Sequence, residues 1–184
     1  MDIQDLPKRH SIRLYEYDYS QEGLYFVTIC TKDKICLFGN IVDEEMVLND
    51  VGRIAHEEWK NTEVLRKNIR LGEFIIMPNH VHGIIEITSV GANCIRPQIT
   101  TGECNSPLQT ENKFRSPSQT LGAVVRGYKS SVTKQINKLH EIPNMIIWQR
   151  NYYERIIRND DSYQKITEYI CENPKHWQTD DYYN

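Results

Sequence analysis

Apolar positions recur along this chain with two different periods, and the switches between them lay out the expected elements. Residues 24–31 form a nearly unbroken run of aromatic and β-branched side chains, from Leu24 and Tyr25 through Val27 to Ile29, which predicts a central strand. A second strand is expected over 36–42, with Gly39 and Asn40 as a bulge or turn. Val51, Ile54, Ala55, Trp59 and Leu65 then share one helical face behind a cap at Asn49 or Asp50, and that helix is expected to end near Asn68. A pair of strands follows from Ile69, broken by the turn residues Pro78 and Asn79. Residues 88–118 scatter Gly91, Pro97, Gly102, Pro107 and Pro117 among Ser, Thr, Asn and Gln without a period, so a flexible insertion inside one domain spanning 1–184 is expected. Helical spacing returns at 121–139, where Leu121, Val124, Val125, Tyr128, Val132, Ile136 and Leu139 make the apolar face. The last helix is expected to start at Asp160, Asp161 or Ser162 and to stop at Pro174, with Tyr163, Ile166 and Ile170 as its core stripe.

Composition narrows the class. With 184 residues, 39% hydrophobic and a formal charge of −3, the chain suits one globular domain with a sizeable core. Its five cysteines are odd in number and scattered, with no Cys-x-x-Cys, which points away from a disulfide framework or a thiolate zinc site and toward a reducing cytoplasm. The polar N-terminus and the lack of an apolar run near 18 residues predict neither a signal peptide nor a membrane span.

Charge changes the picture locally. Between Lys113 and Lys138 stand six cations and no carboxylate, so Arg126, Lys129, Lys134 and Lys138 would concentrate positive potential on one helix face of an acidic protein. A short basic arm holds Lys8, Arg9 and Arg13, and Arg150, Arg155 and Arg158 follow Trp148. Charge alone weighs phosphate contact and a merely solvated face equally, although a solvated face more often alternates its signs.

The candidate chemistry sits in the second strand of the pair. His80 and His82, one residue apart inside β-branched runs, leave a strand on the same face and can form half of a divalent-metal site if another element supplies a third ligand. An arbitrary His-x-His is more often a solvent-facing pair; the apolar flanks on both sides shift this one toward ligands, because buried imidazoles without partners are costly. On the last helix Tyr169 and Asn173 are four residues apart and share a face. By spacing alone a packed aromatic is the commoner fate for Tyr169.

Four stretches, Tyr25 to Thr31, Met77 to His82, Trp148 to Arg158 and Tyr169 to Pro174, resemble in order the REP-associated tyrosine transposases of the single-tyrosine HUH endonuclease superfamily. The resemblance implies an α+β, ferredoxin-like core, an antiparallel sheet with helices against one face. It implies Mg2+ or Mn2+ held by His80, His82 and Asn173, with Tyr169 as nucleophile on the C-terminal helix. The implied reaction is cleavage and strand transfer on single-stranded or hairpin DNA through a 5′-phosphotyrosine intermediate. Lys8, Arg9, Arg13, Arg126, Lys129, Lys134, Arg150 and Arg155 are then the expected DNA contacts, in a monomer or a homodimer. Tyr152, Tyr153 and Tyr163 are the competing phenols. Two other readings stand beside it: a domesticated, non-catalytic DNA-binding protein of the same fold, and a hydrolytic metal-dependent nuclease using Glu73, Glu86 or Glu154 as base.

Overall fold

The computed structural model describes residues 22–88 and 120–183. The expected flexible segment lies outside them except for Thr88, whose N–H donates to the Asn68 carbonyl at the end of its strand. Six strands and three α-helices are present among the described residues: β1 (Gly23–Cys30), β2 (Gly39–Val42), β3 (Glu45–Leu48), α1 (Asp50–Leu65), β4 (Ile69–Ile76), β5 (His80–Ile87), α2 (Leu121–His140), β6 (Tyr153–Ile157) and α3 (Asp160–Glu172). Four strands make an antiparallel sheet in the order β4-β5-β1-β6. With α1 and α2 as the two crossovers, this is the ferredoxin-like βαββαβ arrangement.

Side-chain alternation gives the sheet two different faces. Tyr25, Val27 and Ile29 of β1 with Val81 and Ile85 of β5 meet Trp59 of α1 and Val124, Tyr128 and Val132 of α2 in the larger core. Gly83 lies under Trp59, so closely that a Cβ there would stand 2.3 Å from the indole. The alternate residues face the other way: Phe26, Ile84 and Ile157 pack against Ile166 and Ile170 of α3. Two helices therefore take one face, as expected, and the third takes the opposite one. Each strand of the central pair is apolar on both sides because each side has a helix to cover it.

Several boundaries differ from expectation for local reasons. The strand expected at 36–42 begins at Gly39 and pairs with the unanticipated β3. Asp43 and Glu44 make the turn with φ of 50° and 63°, a conformation usually announced by Asn-Gly or Asp-Gly. Gly39 is a strand residue with φ 142°, and a Cβ there would sit 2.1 Å from the Val47 carbonyl oxygen. Asn49 caps α1 by accepting from Gly52 N–H, and Asn159, ahead of the three expected residues, caps α3 through Ser162 N–H. Leu65 is 79% exposed and Leu139 is also exposed, so both apolar stripes end one turn early. Pro174 does not stop the chain's helical course. It falls in the first turn of a 3-10 run, Asn173–Thr179, where its missing N–H costs nothing.

Candidate metal centre and its tyrosine

β5 places His80 and His82 on the α3 face, one above the other, with ring centroids 4.4 Å apart. Both rings are buried, in spite of their polarity, because the strand end lies under α3 and the turn that follows it. His80 Nδ1 lies 2.8 Å from Asn79 Oδ1. The Asn79 amide group already donates to the Lys34 and Tyr182 carbonyls, so its oxygen is the acceptor and His80 carries its proton on Nδ1. That leaves His80 Nε2 as a lone pair, buried and without a hydrogen-bond partner. His82 Nδ1 lies 2.9 Å from Thr28 Oγ1 on the neighbouring strand, and its Nε2 lies 3.1 Å from the Tyr169 hydroxyl.

α3 brings the second pair. Its buried stripe, Tyr163, Ile166 and Ile170, continues one turn further to Asn173, so the amide enters the same buried space as the imidazoles. Asn173 Nδ2 donates to Asp180 Oδ2 at 3.0 Å, while Asn173 Oδ1 is buried without a partner. Tyr169 flanks the stripe, 44% exposed, with its ring edge toward Phe26 and His82. After the 3-10 run the chain turns back and sets the Asp180 carboxylate beside the histidines, where one ligand atom from each of His80, His82 and Asp180 lies within 4.8 Å of the others. Tyr182 lays its ring against both imidazoles, at centroid distances of 4.7 and 5.8 Å.

Two imidazole nitrogens, a carboxylate and an amide oxygen can together hold a divalent cation. The two orphaned acceptors, His80 Nε2 and Asn173 Oδ1, are what such a site requires, since a buried acceptor without a donor is otherwise a pure cost. Nitrogen-rich donors suit manganese better than magnesium, which prefers oxygen.

Burial sets the electrostatics. It pushes His80 down to about 3, with the Asn173 amide opposing and Lys34 adding to the fall, and it holds His82 well below its ordinary value, helped by His80 and opposed by Asp180. Both rings are therefore neutral at pH 7. Burial also raises the Tyr169 phenol to about 12, with Asp180 and Tyr182 contributing. A folded-state imidazole that resists protonation costs stability in acid, because the unfolded chain binds protons below about 6.5 that the native one refuses. The metal-free protein should therefore lose stability as pH falls below about 6.5, by roughly 1 kcal/mol per pH unit from His80 down to about 3, with His82 acting in the same direction. Urea unfolding at stepped pH measures this; a flat profile between pH 6 and 4.5 would contradict neutral buried rings.

The site unites His80, His82, Tyr169 and Asn173, as the resemblance implied, and adds residues the sequence reading missed: Asp180, Tyr182, Thr28 and Asn79. Of these, Thr28 and Asn79 lie inside stretches that carry the resemblance, Tyr25 to Thr31 and Met77 to His82, while Asp180 and Tyr182 lie in none of them. Of the competing phenols, Tyr163 packs from α3 against the sheet, Tyr152 packs against the larger core on the opposite face, and Tyr153 stands on the metal face of β6, opposite Thr28 and against Phe26. The carboxylate beside the histidines is Asp180, and not Glu73, Glu86 or Glu154.

The expected DNA contacts are divided. Arg155 pairs with Phe26 in register and so lies on the metal face. Arg126, Lys129 and Lys134 belong to α2, behind the sheet, and Arg150 is exposed just before β6. Lys129 stands apart from the other cations: its ammonium donates to the carbonyls of Gln149 and Asn151, and burial lowers it to about 8. Lys8, Arg9 and Arg13 lie outside the described residues. No helix among the described residues is long and apolar enough to cross a membrane.

These features define an α+β protein of ferredoxin-like fold, with a buried histidine pair beside Asp180 on the sheet, a group that could hold a cation, and Tyr169 on the helix over it. A solved structure of a REP-associated tyrosine transposase bound to a REP hairpin is similar over 90% of this chain and 74% of that one, with a TM-score of 0.53 and 17% identity, and so shares the fold. No protein-family model matches the sequence. An uncharacterised protein of Haemophilus influenzae is 46% identical over 178 residues, covering 95% of this chain and 93% of its own length, and the chain belongs to the family of that protein.

Proposed function

We propose that this protein is a transposase-like enzyme that cuts single-stranded DNA and transfers the cut strand, with Tyr169 as nucleophile and a divalent metal held by His80, His82, Asn173 and Asp180. The observation that carries the reading is the Tyr169 hydroxyl, 3.1 Å from Nε2 of His82 in a buried imidazole pair, on a side chain that is 44% exposed. A phenol placed there can reach a phosphate lying against the histidines.

When bound, the cation would neutralise charge on the scissile phosphate and favour the ionised phenol. The chain's own residues do the rest. Asn79 and Thr28 fix the ring orientations, and with its proton on Nδ1 His80 presents the Nε2 lone pair beside His82 Nε2 and Asp180. Phe26 backs His82 and Tyr169 and keeps water from that side. Tyr169 Oη forms a bond to phosphorus and the bond to the 3′ oxygen breaks. The phenol proton leaves through the exposed side, and the departing oxygen gains one to become a 3′-hydroxyl. The 5′-phosphotyrosine so formed conserves the phosphodiester's energy, and a second 3′-hydroxyl reverses the step on another strand. Arg155, on the same sheet face, is suited to meet the flanking phosphates.

The test uses end-labelled DNA carrying a hairpin and a single-stranded flank, incubated with the protein and Mn2+, then denatured. Label retained on the protein supports the reading. Cut DNA without retained label favours hydrolysis, and binding without cutting favours the domesticated DNA-binding protein; either sinks the nucleophile assigned here.

A further inference from the structure

Two in-register pairings set one row of side chains across the front of the sheet: His82 of β5 stands opposite Thr28 of β1, and Thr28 opposite Tyr153 of β6. Directly paired residues of antiparallel strands share a face, so all three stand on the side that carries the histidines and Tyr169. With neighbouring strands about 5 Å apart, the Tyr153 backbone sits roughly 10 Å from that of His82, on the outer strand of the sheet. The next row on the same face holds Ile84, Phe26 and Arg155. Tyr153 therefore has Phe26 and Arg155 beside it, while Tyr152 and Ile156 turn to the larger core behind.

Phe26 ties this tyrosine to the chemistry. Its buried ring stacks on His82 at a centroid distance of 5.3 Å and meets Tyr169 at 6.1 Å and Tyr153 at 6.4 Å. Two exposed phenols thus flank one buried ring: Tyr169, the proposed nucleophile, and Tyr153, which is 41% exposed. The Tyr153 contact is T-shaped, with planes 69° apart, so it covers at most one face of the tyrosine ring. A strand whose phosphate lies at the histidines must lay its adjoining nucleotides along the sheet to one side or the other. On the outer side of Tyr169 the hollow is lined by Glu168, Glu172 and Asp181, which repel a polyanion. The β6 side offers an open ring with a guanidinium next to it.

We infer that Tyr153 is a stacking platform for a nucleobase near the cleaved phosphate, fixing how the strand lies across the sheet when it reaches Tyr169. The inference rests on the proposed DNA substrate and adds a demand that contacts to the sugar–phosphate backbone do not make: the nucleotide over β6 must carry a base. Every base has a flat face, so the platform asks for a base and not for a particular one. The ring does this work and the Tyr153 hydroxyl does not, which separates its role from that of Tyr169.

The test is a cycle between protein and DNA, read by fluorescence anisotropy in a Tyr169→Phe parent with Mn2+. The probe is a labelled hairpin with a single-stranded flank, in which each flank nucleotide in turn is replaced by an abasic tetrahydrofuran residue. Tyr153→Ala should weaken binding of the intact DNA at least about fivefold. One abasic position should cost the parent a similar factor and cost Tyr153→Ala nothing further. Tyr153→Leu, which refills the space against Phe26 without a flat ring, should match Tyr153→Ala, and Tyr153→Phe should keep both the affinity and the abasic sensitivity of the parent. Parent affinity in Tyr153→Ala and Tyr153→Leu, losses that multiply at every flank position, or a Tyr153→Phe variant as weak as Tyr153→Ala would each overturn the inference. The adduct assay on the wild type separates this from the chemistry: the coupling without an adduct removes the proposed reaction and leaves the platform, and an adduct without the coupling does the reverse.

Discussion

Tyr169→Phe should abolish the covalent protein–DNA adduct outright while leaving the fold and DNA affinity in place. The substitution removes one oxygen and nothing else. That oxygen lies 3.1 Å from His82 Nε2 and also meets the Asn173 amide, from a side chain almost half exposed, so the stability change should stay within about 1 kcal/mol. The chemistry has no substitute for it. Among the described residues, Tyr153 meets Phe26 from β6 without reaching either histidine ring, and Tyr163 packs from α3 against the sheet. Among the described residues Tyr182 is the other phenol against both histidines, so Tyr182→Phe belongs beside it and should retain the adduct. Denaturing gels with labelled DNA, together with the mass of the modified peptide, read the result. Adduct surviving in Tyr169→Phe and lost in Tyr182→Phe would move the nucleophile to the C-terminal turn.

His82→Ala should lower Mn2+ affinity by more than about a hundredfold, since it removes a first ligand where loss of an outer partner alone costs 10–100-fold. The readout is metal-induced stabilisation: excess Mn2+ should raise the wild-type unfolding midpoint and leave that of the variant unmoved. The same variant makes a second, independent statement. One of two proton-refusing imidazoles is gone, so the acid slope of stability below pH 6.5 should become shallower. His80→Ala should behave alike on both counts. Metal stabilisation that persists in both variants would remove the histidines from the site, whatever the activity assay reports.

The division of the cations bears on how DNA would lie. An amphipathic pattern states which residues of α2 face solvent, but not which side of the sheet the helix takes. The structure sets α2 behind the sheet and the histidines in front. A strand contacting both must pass around the β6 edge, which is where Arg150, Tyr153 and Arg155 stand. Lys129 shows the same limit at one residue: its place on the charged helix face suggested a phosphate ligand, and the fold commits it to two carbonyls.

What the sequence determined by itself was local. Alternation along 80–87 put His80 and His82 on one face, helical spacing put Tyr169 with Asn173, and the apolar runs marked β1, β4, β5, α1, α2 and α3 within a few residues. Those are consequences of periods of 2 and 3.6, which residues close in sequence cannot escape. Only tertiary structure could join the two pairs, because the Tyr169–His82 hydrogen bond spans 87 residues and depends on α3 taking the face that α1 and α2 leave open. Asp180 and Tyr182 were illegible for the same reason. They follow a proline that ends an α-helical pattern, in a short polar stretch with no period, and reach the histidines only because the 3-10 run turns the chain back over the sheet. Periodicity reports which side of its own element a residue occupies; what stands opposite is decided by packing.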